Sequence, residues 1–364
     1  MTNAPGVDET SVLAPAMIDA VIAKYDPAGF HTLLERLPQQ SRDAWALGQS
    51  WPLPRTFRTP SRVVLTGLGG SAIGADIVVT LARLSGRIPV EIVRGYRAPA
   101  IDANTLVIAC SFSGNTEETI CAFQETLDGD PASMRLALTT GGRLADLARD
   151  RDVPLMTYAW DGPPRTALGY GLFTLLGVLA RLDVLPLADN EVTAALDGIE
   201  DATTRYGIAT TPNEAKQVAI LFGKRLPVII GADFLEVAAR RFAGEVSENA
   251  KQWAFSTALP EFNHNMLQAL GSPGGMPHAI APIILDAPAV HPRNHLRATE
   301  TLDLLLALHA RAQIVDAGGA TPLEAIVRAT TFASWASYYL ALLQSTDPLP
   351  VDVIDLFKER MAES

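Results

Sequence analysis

Short β-rich runs alternating with amphipathic helical stretches, begun near Arg62 and restarted near residue 227, constrain this chain more than any other feature. The first series is VVLTGLG, VEIVRG, TLVIACSF, RLALTT and PLMTYAW; the second is PVIIGAD, FSTALPE, APIILDA and AQIVDAG. Such alternation argues for parallel sheets with crossover helices. A mostly helical interval near 166–222 separates the two series. Ahead of them, helical patterns broken by Leu37-Pro38 and Trp51-Pro52-Leu53-Pro54 predict a helical lead-in. The expected organisation is α/β with doubly wound parallel sheets. It comprises an N-terminal helical segment over 1–55, a first domain over 56–190, a helical connector over 191–215, and a second domain over 216–364. A C-terminal helix from about Val351 to Met361 closes that last domain. At 364 residues the chain is long enough for two cores.

Composition narrows the partners. With 48% hydrophobic and 19% charged residues and no sustained apolar run of membrane-spanning length, no membrane partner is expected. The opening MTNAPGVDETSVLAPAMIDA lacks a basic stretch followed by an apolar core, so it does not read as a signal peptide, and a cytoplasmic location is the default. Two cysteines, Cys110 and Cys121, have neither metal nor redox spacing and read as buried free thiols. A net charge of -11 argues against nucleic acid. It leaves room for an anionic substrate if helix N-termini and hydroxyls build a local pocket.

In open parallel sheets ligands bind beyond the carboxyl ends of strands, and two motifs stand there. The segment Gly67-Leu68-Gly69-Gly70-Ser71-Ala72-Ile73-Gly74 follows VVLT and opens a helix. Its N–H groups could receive a phosphate through Gly70 and Ser71, or it could serve as a dinucleotide turn or as close packing; all three readings fit the segment alone. Arg94, ending VEIVRG, stands where an NAD ribose would need an acid. The segment Ser111-Phe112-Ser113-Gly114-Asn115-Thr116-Glu117-Glu118 follows TLVIAC. Ser111, Ser113 and Thr116 make a compact donor set for a phosphomonoester, although Ser113 as an ordinary helix N-cap explains the same residues.

Three further motifs follow in order: Pro163-Pro164-Arg165-Thr166-Ala167-Leu168-Gly169-Tyr170, Glu248-Asn249-Ala250-Lys251, and Pro260-Glu261-Phe262-Asn263-His264-Asn265. GLGGSAIG with SFSGNTEET resembles the phosphate-binding pair of sugar isomerase (SIS) domains. Together with the later motifs, the chain from about Arg62 onward resembles the bifunctional phosphoglucose/phosphomannose isomerase family. That resemblance implies two SIS-type domains, no cofactor and no metal. It also implies a hexose 6-phosphate substrate, glucose 6-phosphate and potentially the mannose epimer, converted to fructose 6-phosphate through a cis-enediol.

The resemblance gives roles to residues that would otherwise pass as bland. Glu248 lies off the apolar stripe of its helix and alone would be a solvated acid; the family makes it the general base, whose pKa partial burial would raise. His264 becomes the ring-opening residue, contributed across the interface of a homodimer. Arg165, otherwise a loop arginine capping a helix or pairing with Asp161, faces the enediolate. Lys358 matches a C-terminal lysine near substrate, though a solvated helix lysine explains it as well. Two departures bear on epimer acceptance: Leu349 in Asp347-Pro348-Leu349-Pro350-Val351, where the family often has threonine, and Met266 where an acid is expected. His291 and His295 have i, i+4 spacing, but Pro292 and the lack of a third ligand argue against a metal site. The stretch 271–279, GSPGGMPHA, reads as a surface loop. Two rival readings are a non-catalytic SIS sugar-phosphate sensor, which has no use for a Glu/Arg/His set, and a nicotinamide-dependent oxidoreductase, which would bind NAD(P) tightly.

Overall fold

The computed structural model describes residues 11–362. Backbone contacts divide the chain into two compact units, one Arg36–Glu200 and the other the described parts of Met1–Glu35 and Asp201–Ser364. The helical lead-in is thereby shared. Its helices α1 (Ile18–Tyr25) and α2 (Phe30–Glu35) belong to the second unit, and α3 (Leu37–Ser50) belongs to the first.

The Arg36–Glu200 unit runs β1 (Arg62–Thr66), α4 (Gly69–Ser85), β2 (Val90–Val93), β3 (Thr105–Ser111), α5 (Glu117–Leu127), β4 (Met134–Thr139), α6 (Gly142–Asp150), β5 (Leu155–Thr157) and α7 (Leu168–Arg181). Its sheet has the order β2-β1-β3-β4-β5, all parallel. β3 (TLVIACS) is buried along its whole length, as a central strand covered on both faces must be. One face carries an apolar core of Val64, Val107, Ala109 and Ala137 against Phe123, Leu144 and Ala148 of α5 and α6. On the α4 side, α3 and α7 cross where Gly48 meets Gly177. A Cβ on Gly48 would stand 2.6 Å from the Thr174 carbonyl oxygen, so the crossing needs a glycine notch.

Helix α8 (Asp189–Tyr206) leads out of that unit. The second unit continues with α9 (Glu214–Phe222), β6 (Leu226–Ala232), α10 (Glu236–Asn249), β7 (Phe255–Leu259), α11 (Met276–Ala279), β8 (Ile280–Asp286), α12 (Pro292–Ala307), β9 (Gln313–Asp316), α13 (Pro322–Leu343) and α14 (Asp352–Ala362). Its parallel sheet has the order β7-β6-β8-β9. The α13 sequence is apolar nearly all round, and the helix is buried accordingly, packed on α9 and α10. Tyr338 donates to Asp26 (3.0 Å) and Tyr339 to the Tyr206 carbonyl (2.7 Å), tying the lead-in and the end of α8 to this helix.

All nine β-rich runs are strands, and the C-terminal helix forms as expected. Within 271–279, residues Met276–Ala279 make a short helix that precedes β8. No helix among the described residues is long and apolar enough to cross a membrane.

Candidate active site

Strand order reverses between β1 and β3, and both strands feed helices at their carboxyl ends. Thr66 pairs with Ala109, so the Gly-rich turn and Ser111 emerge side by side from this switch point. Ser111 is buried at the tip of β3. Its hydroxyl accepts from the Gly114 N–H (3.1 Å) and hydrogen-bonds the Thr116 hydroxyl (3.1 Å). Ser113 is exposed and accepts from the Asn115 N–H (3.2 Å). The N-cap of α5 is Thr116, whose side chain makes no capping bond, and Ser113 stands outside the helix. The hydroxyls are therefore arranged around the loop instead of capping the helix in the ordinary way. Gly70 and Ser71 lie in the first turn of α4; the Ser71 side chain is outside the described residues.

The serine loop is braced by residues that its own motif does not reveal. Gly114 has φ +67, and a Cβ there would collide with the Gly141 carbonyl, so this position requires glycine. Thr140 donates from its N–H (3.1 Å) and hydroxyl (2.7 Å) to the Phe112 carbonyl. The Leu144 N–H reaches Gly114 O (2.8 Å), and the Arg143 N–H reaches Asn115 Oδ1 (3.1 Å). The β4–α6 turn thus holds the serine loop; its signal in sequence is Gly141-Gly142 immediately after a predicted strand.

Arg165 joins this site. It sits in a 3-10 turn, Pro164–Thr166, and is 4% exposed. Gln40 of α3 fixes the turn, donating to Thr166 O (2.9 Å) and accepting from the Gly169 N–H (2.7 Å). Trp160 donates to the Thr166 hydroxyl (2.9 Å), and the Arg36 guanidinium covers its ring at 4.4 Å. An aromatic chain, Phe112–Tyr158–Tyr170–Trp160, runs from the serine loop to this turn, with Tyr158 and Tyr170 stacked at 4.7 Å. Burial holds the Tyr158 phenol well above its usual range. Gly70 packs against the same turn: a Cβ there would lie 3.0 Å from the Arg165 backbone nitrogen. Burial also pushes the Cys110 thiol up to about 12, which removes it as a nucleophile near neutral pH. Cys110 is buried as expected, whereas Cys121 is half-buried.

In the second unit, Glu248 is the penultimate residue of α10 and is half-buried. Asn249 next to it is 1% exposed and donates to the Ser337 hydroxyl of α13 (2.9 Å). His264 is exposed and ends a 3-10 turn after β7, anchored to α12 through Asn263, which donates to the Thr301 hydroxyl (2.8 Å). Strand order reverses at β6, so right-handed crossovers put α10 and α12 on opposite faces of this sheet. Glu248 stands before the amino end of β7 and His264 beyond its carboxyl end, so the strand keeps them apart within the unit. Lys358 lies on exposed α14 and pairs with Asp355 at 3.3 Å, the arrangement of a solvated helix lysine. His291 caps α12 by accepting from the Arg293 N–H (3.1 Å), and His295 hydrogen-bonds Asp286 (2.8 Å). No cluster able to hold a metal ion occurs among the described residues.

Residues 211–361 match the family model of the bacterial phospho-glucose isomerase C-terminal SIS domain. The bifunctional phosphoglucose/phosphomannose isomerase of Caldicellulosiruptor bescii is 32% identical over 331 residues, covering 90% of this chain and 97% of the relative. The chain belongs to the bifunctional phosphoglucose/phosphomannose isomerase family. The Aquifex aeolicus relative of that name is 27% identical over 303 residues, covering 82% of this chain and 90% of the relative. A hypothetical protein from Thermus thermophilus shares the fold, with a TM-score of 0.75, 17% identity, and coverage of 97% of this chain and 95% of that one.

Proposed function

We propose that this chain is an enzyme that interconverts glucose 6-phosphate and fructose 6-phosphate through a cis-enediol, without a metal or cofactor. The observation that carries this reading is the convergence, in one unit, of two strand-tip loops and a buried arginine turn, in a chain of this family. Gly70, Ser71, Ser111, Ser113 and Thr116 hold the phosphate. Hydroxyl and backbone donors suit it because a phosphomonoester accepts many hydrogen bonds at once, and they need no positive net charge in a chain of net charge -11.

With the sugar so anchored, His264 opens the ring by passing a proton to the ring oxygen and accepting one from the C1 hydroxyl. Glu248 removes the proton from C2, the electron pair moves to form the enediolate, and Arg165 stabilises the oxygen charge that develops. The hydroxyl proton on O2 passes to O1 as Glu248 returns a proton to C1, completing the ketose. Lys358 approaches the substrate from the C-terminal helix.

His264 serves the site of a neighbouring copy, making a homodimer the working form. Three features support this. Glu248 precedes the amino end of β7 and His264 follows its carboxyl end, so the length of the strand lies between them. Phe255 of the edge strand leading to His264 is exposed, as are Trp253 (77%) just ahead of that strand and Met266 beyond it. Helix α14, which carries Lys358, exposes Val353, Leu356, Phe357 and Met361, an apolar surface suited to burial by a partner. A cytoplasmic location accords with a phosphorylated sugar as substrate.

A coupled assay with fructose 6-phosphate in excess EDTA tests the reading, with mannose 6-phosphate run beside glucose 6-phosphate for the epimer preference. Turnover is expected with the glucose epimer, and Leu349 argues for a weaker response to mannose 6-phosphate. Thermal stabilisation by fructose 6-phosphate without turnover would mean a sensor instead.

A further inference from the structure

The residue just past the base-bearing helix carries a conformation that its type rarely adopts. Ala250 is the C-cap of α10, so Lys251 occupies the following position, and its φ is +53. Glycine is the usual residue at this left-handed position, because a Cβ is crowded there. A lysine held at such an angle requires compensation from its surroundings.

The compensation is visible in its ammonium group. Lys251 Nζ turns back onto the end of its own helix, donating to Glu248 O (2.9 Å) and Asn249 O (3.2 Å), carbonyls among the last four that the helix cannot satisfy internally. The same nitrogen donates to Asp347 O (2.7 Å) and Pro348 O (3.1 Å), in the segment between α13 and α14. Three N–H protons are shared among four carbonyls, so the charge sits in a backbone cradle. From the other side, Asn249 donates to Ser337, Ser337 donates to Ser334 O (3.0 Å), and Ser334 donates to Glu245 (2.8 Å), itself paired with buried Arg241 (2.7 Å).

We infer that Lys251 is a positioning residue for the isomerisation: its ammonium locks the last turn of α10 to residues 347–348 and so fixes the direction of the Glu248 carboxylate. The inference rests on Glu248 being the base. A plain helix stop needs only glycine here, whereas the bridge to Asp347 and Pro348 needs a long cationic side chain. Proton transfer from C2 demands a carboxylate held to within a fraction of an ångström, and a misplacement of about 1 Å costs up to about 10²-fold.

The substitution that separates the two roles is Lys251→Gly, which relieves the backbone angle and keeps the helix stop while removing the ammonium. The expected result is a folded protein with a melting temperature near wild type, kcat lowered about tenfold or more, and KM changed much less. Lys251→Arg, which keeps the charge, is expected to recover part of kcat. Wild-type kcat in Lys251→Gly, with Glu248→Gln inactive, overturns the positioning role and leaves the base assignment standing. Normal turnover in Glu248→Gln removes the base assignment and this inference with it. A fall in melting temperature of Lys251→Gly with kcat intact identifies a purely structural cap and also overturns the inference.

Discussion

The Cβ that Gly70 lacks would stand 3.0 Å from the backbone nitrogen of Arg165, so the Gly-rich helix start and the arginine turn share one packed contact. The glycine is needed less for a turn than for this approach. It brings the cation's backbone against the loop proposed to hold the phosphate.

Gly70→Ala keeps the backbone N–H but forces the Pro164–Arg165 turn to give by a few tenths of an ångström. Because the guanidinium rides on that turn, kcat/KM for glucose 6-phosphate is expected to fall about tenfold or more. Gly95→Ala, exposed and with nothing near its added Cβ, is the control and is expected to leave kcat/KM unchanged.

Arg165→Lys retains a charge but loses the planar fork. In the proposed mechanism Arg165 addresses the developing enediolate, so kcat is expected to fall about 10²-fold with KM changed less. Steady-state kinetics on both substrates decide it. A rise in KM alone would make Arg165 a phosphate holder in the ground state.

His31 couples stability to pH. The hydrogen bond from its Nδ1 to buried Asp26 (2.6 Å) raises its pKa, with Glu35 pulling weakly the same way. Burial by itself would lift the Asp26 carboxyl, but hydrogen bonds from His31, Phe30 and Tyr338 outweigh it and hold the pKa down. A raised histidine contributes stability below its ordinary value of 6.5 and loses it as pH rises through the folded value. A lowered aspartate contributes above its ordinary 3.8 and loses it as pH falls through the folded value. The contribution therefore peaks between them. The melting-temperature gap between wild type and His31→Asn is expected to be larger at about pH 5.5 than at about pH 9, by about 2 °C or more.

The strands and both candidate loops are legible in sequence because parallel strands covered on both faces are continuous apolar runs, and the switch-point loops are marked by glycine and serine directly after them. What could not be read was set by contacts between distant segments. Gln40 lies in the lead-in, yet it reaches the Thr166 carbonyl and the Gly169 N–H across more than a hundred residues, and no local pattern marks it. The same holds for α3, which joins the first unit because Gly48 meets Gly177, while α1 and α2 join the second through Asp26 and Tyr338. Lys251 stands within a motif, but its left-handed angle and its hold on residues 347–348 belong to three dimensions alone.

Proton movement at C2 is the step on which everything else depends. Fructose 6-phosphate incubated with the protein in D2O and EDTA, followed by NMR, reports it directly. The expected result is glucose 6-phosphate carrying deuterium at C2, formed by wild type and slowed about 10²-fold or more in Glu248→Gln. Equal rates in the two proteins would contradict a carboxylate-borne enediol mechanism.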